Sequence, residues 1–391
     1  MKIVHICLAN FYIDNYSYQE NILPKMHKLQ GLDVMIIAST ETFIDNNTLG
    51  YLKPSSYYNE NGIPVVRLPY VDFIPHWIAR KIRLYIGLTR MLESFNPQII
   101  FLHDVQFLSI KEIVEFVKKH RHVKVYADGH ADFSNSASSF ISKHILHKVV
   151  YKYCVDIISP FVTFFYGTLP ARVDFFMDVY KTPPSKTKLL VMGADDDLVR
   201  NAKDLNLRSV LRAKYSILDE EFVIITGGKI DQSKKQVLEL MKALNNITDK
   251  KIRLIIFGSV AEELMEKFEA LFNPRFMINV GWVASDTIYG YFEASDLVVF
   301  PGRHSVLWEQ AVGQGKPCVF RYYPGHNHID LGGNCNFLYK STSDEMEKVI
   351  KESIASIDNL KINAEKKGIN YFSYYQIAKR SIELNMETSE I

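Results

Sequence analysis

Short apolar runs alternate with polar, helix-patterned stretches along almost the whole chain. Ile3 to Leu8, Asp33 to Ala38, Val65 to Leu68, Ile99 to Leu102, Val123 to Ala127 and Asp156 to Ser159 read as strands, mostly apolar on both faces as in a buried parallel sheet. Helical spacing lies between them at Gln19 to Gln30, Ala79 to Phe95, Ile110 to His120 and Ser138 to Tyr153. The alternation predicts a parallel sheet with helices on both faces.

A second alternation follows Leu189 to Val191. The polar, Asp-rich segment GADDDLVRNAKDLNL reads as a linker. Strands are then expected at Phe222 to Thr226, Arg253 to Phe257, Met277 to Val280, Leu297 to Phe300 and Cys318 to Phe320. Helices are expected at Lys234 to Leu244, Ala261 to Leu271, Ser285 to Glu293 and Val306 to Val312, with a last one at Ser373 to Met386. The fold class is α/β, with two domains over residues 1–190 and 191–370, a closing helix in 371–391, and sheet edges facing one cleft. Small ligands favour such edges and domain interfaces.

The chain of 391 residues is long enough for two such domains, and its 23% charged content is ordinary for a globular protein. A formal charge of +2 argues against nucleic acid as partner. The charge is uneven: 21 basic and 16 acidic residues up to position 190, then 25 and 28. The first half is therefore the expected side for an anionic surface or acceptor. Cys7, Cys154, Cys318 and Cys335 lack CxxC spacing and read as buried free thiols. MKIVHICLAN reads as a first strand and not a signal peptide, and no apolar run is long enough for a transmembrane helix.

The stretch TGGKIDQSKK follows a strand and opens a helix. Gly227 and Gly228 allow close backbone approach, and Lys229 and Lys234 add two cations beside a helix start at Gln232 to Lys235. This suits a pyrophosphate, or else is a glycine turn with solvated lysines. Neither the P-loop nor the GxGxxG pattern is present. Glu309, on the first turns after a buried strand, fits a ribose diol or the helix dipole. Arg303, His304 and Ser305 precede it on a turn and suit phosphate or sugar, or solvent. In the first half, His103-Asp104 and Asp128-Gly129-His130-Ala131-Asp132 each close a strand, where imidazole and carboxylate meet a sugar or developing charge. His326-Asn327-His328 and Asp195-Asp196-Asp197 look like metal ligands, but the two histidines are too close for a helical i, i+4 site and the Asp run lies in the linker segment, so no metal site is expected. The basic, aromatic stretches with Trp77, Arg80, Lys81, Arg83 and Arg90, and with Lys143, His144, His147, Lys148 and Lys152, read as anionic-membrane contacts or as solvated faces.

These pieces in order, from KIVHICLANFYIDNYSYQEN through KTKLLVMGADDDLV, GGKIDQSKK, RLIIFG and INVGWVASDTIYGYFEASDLVVFPGRHSVLWEQAVGQGKPCVF to YFSYYQIAK, resemble the retaining, nucleotide-sugar-dependent GT-B glycosyltransferases of family 4. The resemblance covers nearly the whole chain. It implies two Rossmann-like domains and a final helix that crosses back to the first. Lys229 stands at the family's phosphate-binding Arg and Lys234 at its Lys; with His130 and Asp132 these are the implied catalytic residues. Gly228, Gly258, Trp282, Val283, Arg303, His304, Ser305, Val306 and Glu309 are the implied donor contacts, and Asn15, Tyr16, Ser17, Tyr18, His103 and Asp104 the acceptor contacts. Glu309 matches the second acid of the E-x7-E motif, while the first falls at Pro301. A Gly-rich turn is replaced by Arg303 to Ser305, and the N-terminal glycine loop by Asn15 to Tyr18.

The implied activity is transfer of a hexose-like sugar from a nucleoside diphosphate sugar to a glycan or polyprenyl-linked acceptor, without metal or cofactor. Lysines would neutralise the leaving diphosphate. The setting implied is bacterial surface polysaccharide synthesis, by a cytoplasmic enzyme at the inner membrane face. A GT-B epimerase or hydrolase, and a non-catalytic sugar-nucleotide-binding partner, are the alternatives.

Overall fold

A computed structural model describes residues 1–44, 48–130, 149–247 and 251–384. The chain forms two compact units, Met1–Val191 with the chain from Ala378 onward, and Met192–Ile377.

The first unit is built on an eight-stranded sheet. Its order is Thr187–Leu189, Val162–Gly167, Lys124–Gly129, Ile99–His103, Lys2–Cys7, Asp33–Ser39, Pro64–Leu68 and Ser55–Tyr58. Neighbours are parallel except the last, which pairs antiparallel with Pro64–Leu68. Val4, Ile6, Ile100, Leu102 and Val125 from the strands pack with Leu88, Leu92, Ile113 and Phe116 from helices. Strands apolar on both faces can only sit at the centre of such a helix-covered sheet.

The second unit holds six parallel strands in the order Met277–Gly281, Ile252–Phe257, Phe222–Gly227, Leu297–Phe300, Cys318–Arg321 and Cys335–Leu338. Counted from Phe222–Gly227, this is the 3-2-1-4-5-6 order of dinucleotide-binding sheets. The strand order reverses between Phe222–Gly227 and Leu297–Phe300, so the crevice beyond their carboxyl ends is the ligand position expected from topology alone.

Several expectations are corrected. Asp156 to Ser159 is not a strand: Lys152–Ile158 is a helix, and the strand is Val162–Gly167. Cys154, Val155 and Ile158 are all buried, a face at i, i+1 and i+4 that a short apolar run does not distinguish from a strand. The predicted helix Ala79 to Phe95 is two, His76–Ile82 and Leu88–Phe95, separated where Arg83 and Gly87 take φ of 54° and 98°. The Asp-rich segment is not a linker. Asp195 accepts a bond from Asp197 N at 3.0 Å and caps the helix Asp196–Asp204, and Leu207–Lys214 is a second helix. Asp196 in turn accepts from Ser373 Oγ and from Tyr375 N at 2.8 Å. The helix expected from Lys234 begins at Gln236, and the one expected from Ser285 at Ile288. Cys335–Leu338 and the helix Ser343–Ala355 were not anticipated. Cys7, Cys154, Cys318 and Cys335 are free and buried. Among the described residues no helix is long and apolar enough to cross a membrane.

The last described helix, Tyr374–Ser381, starts in the second unit, where Tyr374 N donates to Ala194 O at 3.1 Å. Its end belongs to the first unit, where His27 Nε2 lies 3.0 Å from Ala378 O.

Candidate functional site

At the carboxyl end of Phe222–Gly227 the chain runs through two glycines. Gly227 and Gly228 take φ of +154° and +104°, and Gly258, ending the neighbouring strand, takes +101°. Gly228 N donates to Phe257 O at 3.0 Å, and Gly258 N to Gly281 O at 2.6 Å, so three adjacent strand ends are tied together. A Cβ on Gly258 would overlap the Gly228 carbonyl, and one on Gly227 the Phe257 carbonyl. The close backbone approach therefore requires glycine at both positions.

Lys234 folds back over this turn: a Cβ on Gly228 would lie 3.2 Å from its Nζ. The turn from Leu297–Phe300 packs on the same backbone. Arg303 N donates to Ser233 O at 3.2 Å, and a Cβ on Gly302 would come 2.8 Å from Lys234 Cα. Two segments some seventy residues apart, GGKIDQSKK and PGRHS, thus form one cationic corner at the switch point. Burial lowers the Lys234 pKa; Asp231 opposes this and the nearby Arg303 adds to it. Lys229 is exposed. The peptide end at Gln232 to Lys235 is a turn and not the helix start. Ser233 N donates to Asp231 Oδ1 at 2.9 Å and Lys234 N to Asp231 O at 2.9 Å, so two of its N–H groups are already paired.

Glu309 lies in the helix Leu307–Gly313 and has no exposed surface. His304 Nε2 is 2.8 Å and His328 Nε2 2.7 Å from the same oxygen, Oε1. Burial pushes the Glu309 pKa up, but the two imidazoles reverse this and bring it down to about 2. Among the described residues Glu309 Oε2 has no hydrogen-bond partner, nor has His328 Nδ1. His328, set aside in the sequence as one of two histidines too close together, is thus part of the site. The ligand atoms of His304, Glu309 and His328 lie within 4.8 Å of one another, a donor set of the kind that holds zinc. Two nitrogens at hydrogen-bond distance from one carboxylate oxygen are equally the geometry of two N–H donors. Ser305 and Val306 lead into this helix, their carbonyls accepting from Trp308 N and Gln310 N. Trp282 is 75% exposed just beyond Met277–Gly281, with Val283 half-buried beside it.

In the first unit, Asp128 is fully buried; His103 Nδ1 is 3.1 Å from its Oδ2 and His130 Nε2 3.7 Å from its Oδ1. Gln19 Nε2 donates to Oδ2 at 2.7 Å and Asp104 N to Oδ1 at 3.1 Å. Burial favours the protonated acid, yet the charges of His103 and His130 hold Asp128 well below the usual carboxylate range. Burial also lowers the His130 pKa, and Asp128 overcomes this, leaving it raised. His103 is corrected as an acceptor contact. It has no exposed surface, and its second nitrogen is 2.9 Å from His5 Nδ1. Asp104 is also buried, with φ of 67° and its carboxylate on Val105 N. Asn15 is exposed at φ 63°, Tyr16 packs on Tyr18 with ring centroids 5.2 Å apart, and Ser17 is half-buried beside them. Asp132, Lys143, His144, His147 and Lys148 lie outside the described residues.

Residues 221–355 match the family described as "Glycosyl transferases group 1". No curated protein matches the chain. Among solved structures, a glycosyltransferase from Rickettsia africae aligns at 12% identity and TM-score 0.68, over 98% of this chain and 97% of that one. Anabaena Alr3699/HepE in complex with UDP aligns at 16% identity and TM-score 0.67, over 98% and 99%. UDP-GlcNAc 2-epimerase from Neisseria meningitidis, bound to UDP-GlcNAc, aligns at 12% and 0.62, also over 98% and 99%. The chain has the two-domain, GT-B-like α/β fold of these structures, and its second unit carries the group 1 glycosyltransferase match.

Proposed function

We propose that this protein is a glycosyltransferase that moves a hexose-like sugar, with retention, from a nucleoside diphosphate sugar to a glycan or lipid-linked glycan acceptor. The observation that carries the reading is the cationic, glycine-floored corner at the switch point of the second unit, where Lys234 lies over Gly228 and the Arg303 turn docks on Ser233. A diphosphate there meets an ammonium, a guanidinium-bearing turn and open backbone. Charge that grows on the leaving group is stabilised by about 3 kcal/mol for each well-placed donor. Lys229 adds a solvated cation at the rim. Glu309, whose Oε2 is unpaired among the described residues but buried, is assigned to the ribose, and Trp282 and Val283 to the flank of the base. His130, beside Asp128, and Asp132 are assigned to the catalytic step at the sugar, and the Asn15 to Tyr18 loop to the acceptor. No metal or further cofactor is required in this reading.

Phe73 and Trp77 are 74% and 68% exposed, with exposed Arg80 and Lys81 close in sequence. This supports a peripheral site on an anionic membrane at the cytoplasmic face, as bacterial surface polysaccharide synthesis would need. Arg83 does not contribute; it donates to Gln106 O at 2.9 Å.

Calorimetry with a panel of nucleoside diphosphates and their sugars tests the binding step. Transfer assays against lipid-linked and free glycans, with the anomeric configuration of the product read by NMR, test the rest. Absence of any diphosphate binding by the folded protein overturns the proposal. Pro301, at the place of the first acid, favours a non-catalytic sugar-nucleotide-binding partner, while donor epimerisation or hydrolysis draws on the fold match to the UDP-GlcNAc 2-epimerase. The latter predicts donor turnover without any acceptor.

A further inference from the structure

Three buried histidines of the first unit stand in a row. Ala378 O is 3.0 Å from His27 Nε2, His27 Nδ1 is 3.0 Å from His5 Nε2, His5 Nδ1 is 2.9 Å from His103 Nε2, and His103 Nδ1 is 3.1 Å from Asp128 Oδ2. All three rings have no exposed surface. Every ring nitrogen is engaged, so turning a ring over would put a carbon where a nitrogen is needed.

Both ends of this row are acceptors, a carbonyl and a carboxylate. Its four contacts need four protons, whereas three neutral imidazoles carry three. One alternative donor is present. Ser381 Oγ is 3.2 Å from His27 Nε2 and donates to Ala378 O at 2.8 Å. If that hydroxyl turned to His27, three neutral rings could all point their protons towards Asp128. The cost would be a ring lone pair facing the Ala378 carbonyl at 3.0 Å and the loss of the Ser381 bond to it.

We infer that the His27–His5–His103 row stores one exchangeable proton, carried as an imidazolium beside the Asp128 carboxylate, and that through Asp128 the row sets the charge on His130. In the loaded state His27, His5 and His103 carry protons on Nε2 and His103 a further one on Nδ1. On unloading, the His27 Nε2 proton leaves and the Ser381 hydroxyl takes its place. The His5 Nε2 proton passes to His27 Nδ1, and the His103 Nε2 proton to His5 Nδ1. Asp128 keeps its hydrogen bond but loses its cation, and His130, 3.7 Å away, becomes the better proton acceptor. His5, His27 and His103 are therefore positioning residues.

The charged groups around the row agree with one stored proton and no more. Burial comes first in lowering His5, followed by His27 and His103; His27 is brought down to about 4 by burial and His103 against the opposing Ala378 carbonyl, so two of the rings resist a second cation. Beyond the ends, the charged groups that act on Asp128, Asp104, Cys7 and His130 are one another together with Glu20, Arg67, Arg83 and Arg172.

The test uses the full chain with 15N-labelled histidine, counting ring N–H groups of the row by NMR against pH. The expected result is four near neutral pH, falling to three in one step, with the His130 pKa rising as the row unloads. Ser381→Ala removes the substitute donor together with its bond to Ala378 O; the loaded Ala378 O keeps the His27 proton whereas the unloaded His27 Nε2 is left without a donor, so the step is expected to move up by about one pH unit. Three ring protons throughout, or a step unmoved in the Ser381 variant, overturns the inference. The measurement needs neither substrate nor turnover, so its outcome is independent of the proposed transferase activity.

Discussion

His328 Nε2 lies 2.7 Å from Glu309 Oε1, and the carboxylate it meets has no exposed surface. With His304 on the same oxygen, the two imidazoles fix the carboxylate plane and leave Oε2 as the free acceptor. His328→Ala removes one of two donors from a buried anion. It is expected to cost about 2 kcal/mol and to lower the melting temperature by about 5 °C. His328→Gln retains an N–H at a similar reach and is expected to recover most of that loss, read by thermal shift with and without a nucleoside diphosphate.

The same carboxylate makes stability depend on acid pH. Its pKa is about 2 folded and 4.5 in the unfolded reference, so the folded state prefers the anion. That contribution is complete above pH 4.5 and is lost as pH falls towards 2, with a size of about 3 kcal/mol at ~1.4 kcal/mol per unit. Denaturant titrations of the wild type and Glu309→Gln should converge as pH drops through this window. Curves that stay parallel would place the acid sensitivity elsewhere.

Lys234 and Lys229 should not behave alike. Lys234 is half-buried over Gly228, whereas Lys229 is exposed. A partly desolvated, charge-assisted contact is worth more than a solvated one. Lys234→Ala is expected to weaken diphosphate binding by roughly a hundredfold, and Lys229→Ala by less than tenfold. Calorimetry against one nucleoside diphosphate at fixed salt gives both numbers.

Gly258 has φ of +101° and no room for a Cβ beneath the Gly228 carbonyl. Gly258→Ala strains the backbone and pushes the phosphate-side turn away, at a cost of about 3 kcal/mol. Reduced stability together with lost diphosphate binding is expected. Gly281→Ala, where nothing lies within 4 Å of the added carbon, carries only the cost of its positive φ of 68° and serves as the control.

The order of apolar and amphipathic stretches was enough to predict an α/β chain with parallel sheets. Strands such as Leu297–Phe300 are buried on both faces and carry that information in their own residues. The glycines at 227 and 228, the lysine at 234 and the acid at 309 could be picked out for the same reason, since each lies at a strand end, in the turn that follows it or on the next helix. Local pattern failed where one short run fits two geometries, as at Asp156 to Ser159. It failed again where polarity came from a helix cap, as at Asp195.

What only the tertiary structure decided is pairing at a distance. The 3-2-1-4-5-6 sheet order brings the Arg303 turn onto Ser233, and folding sets His328 against Glu309 across nineteen residues. It also joins His5, His27 and His103 into one row ending on Asp128 and on a carbonyl more than 350 residues from His27 in the chain. A sequence records which donors and acceptors exist. The number of protons they must share is fixed only when burial removes water and leaves each group a few set partners.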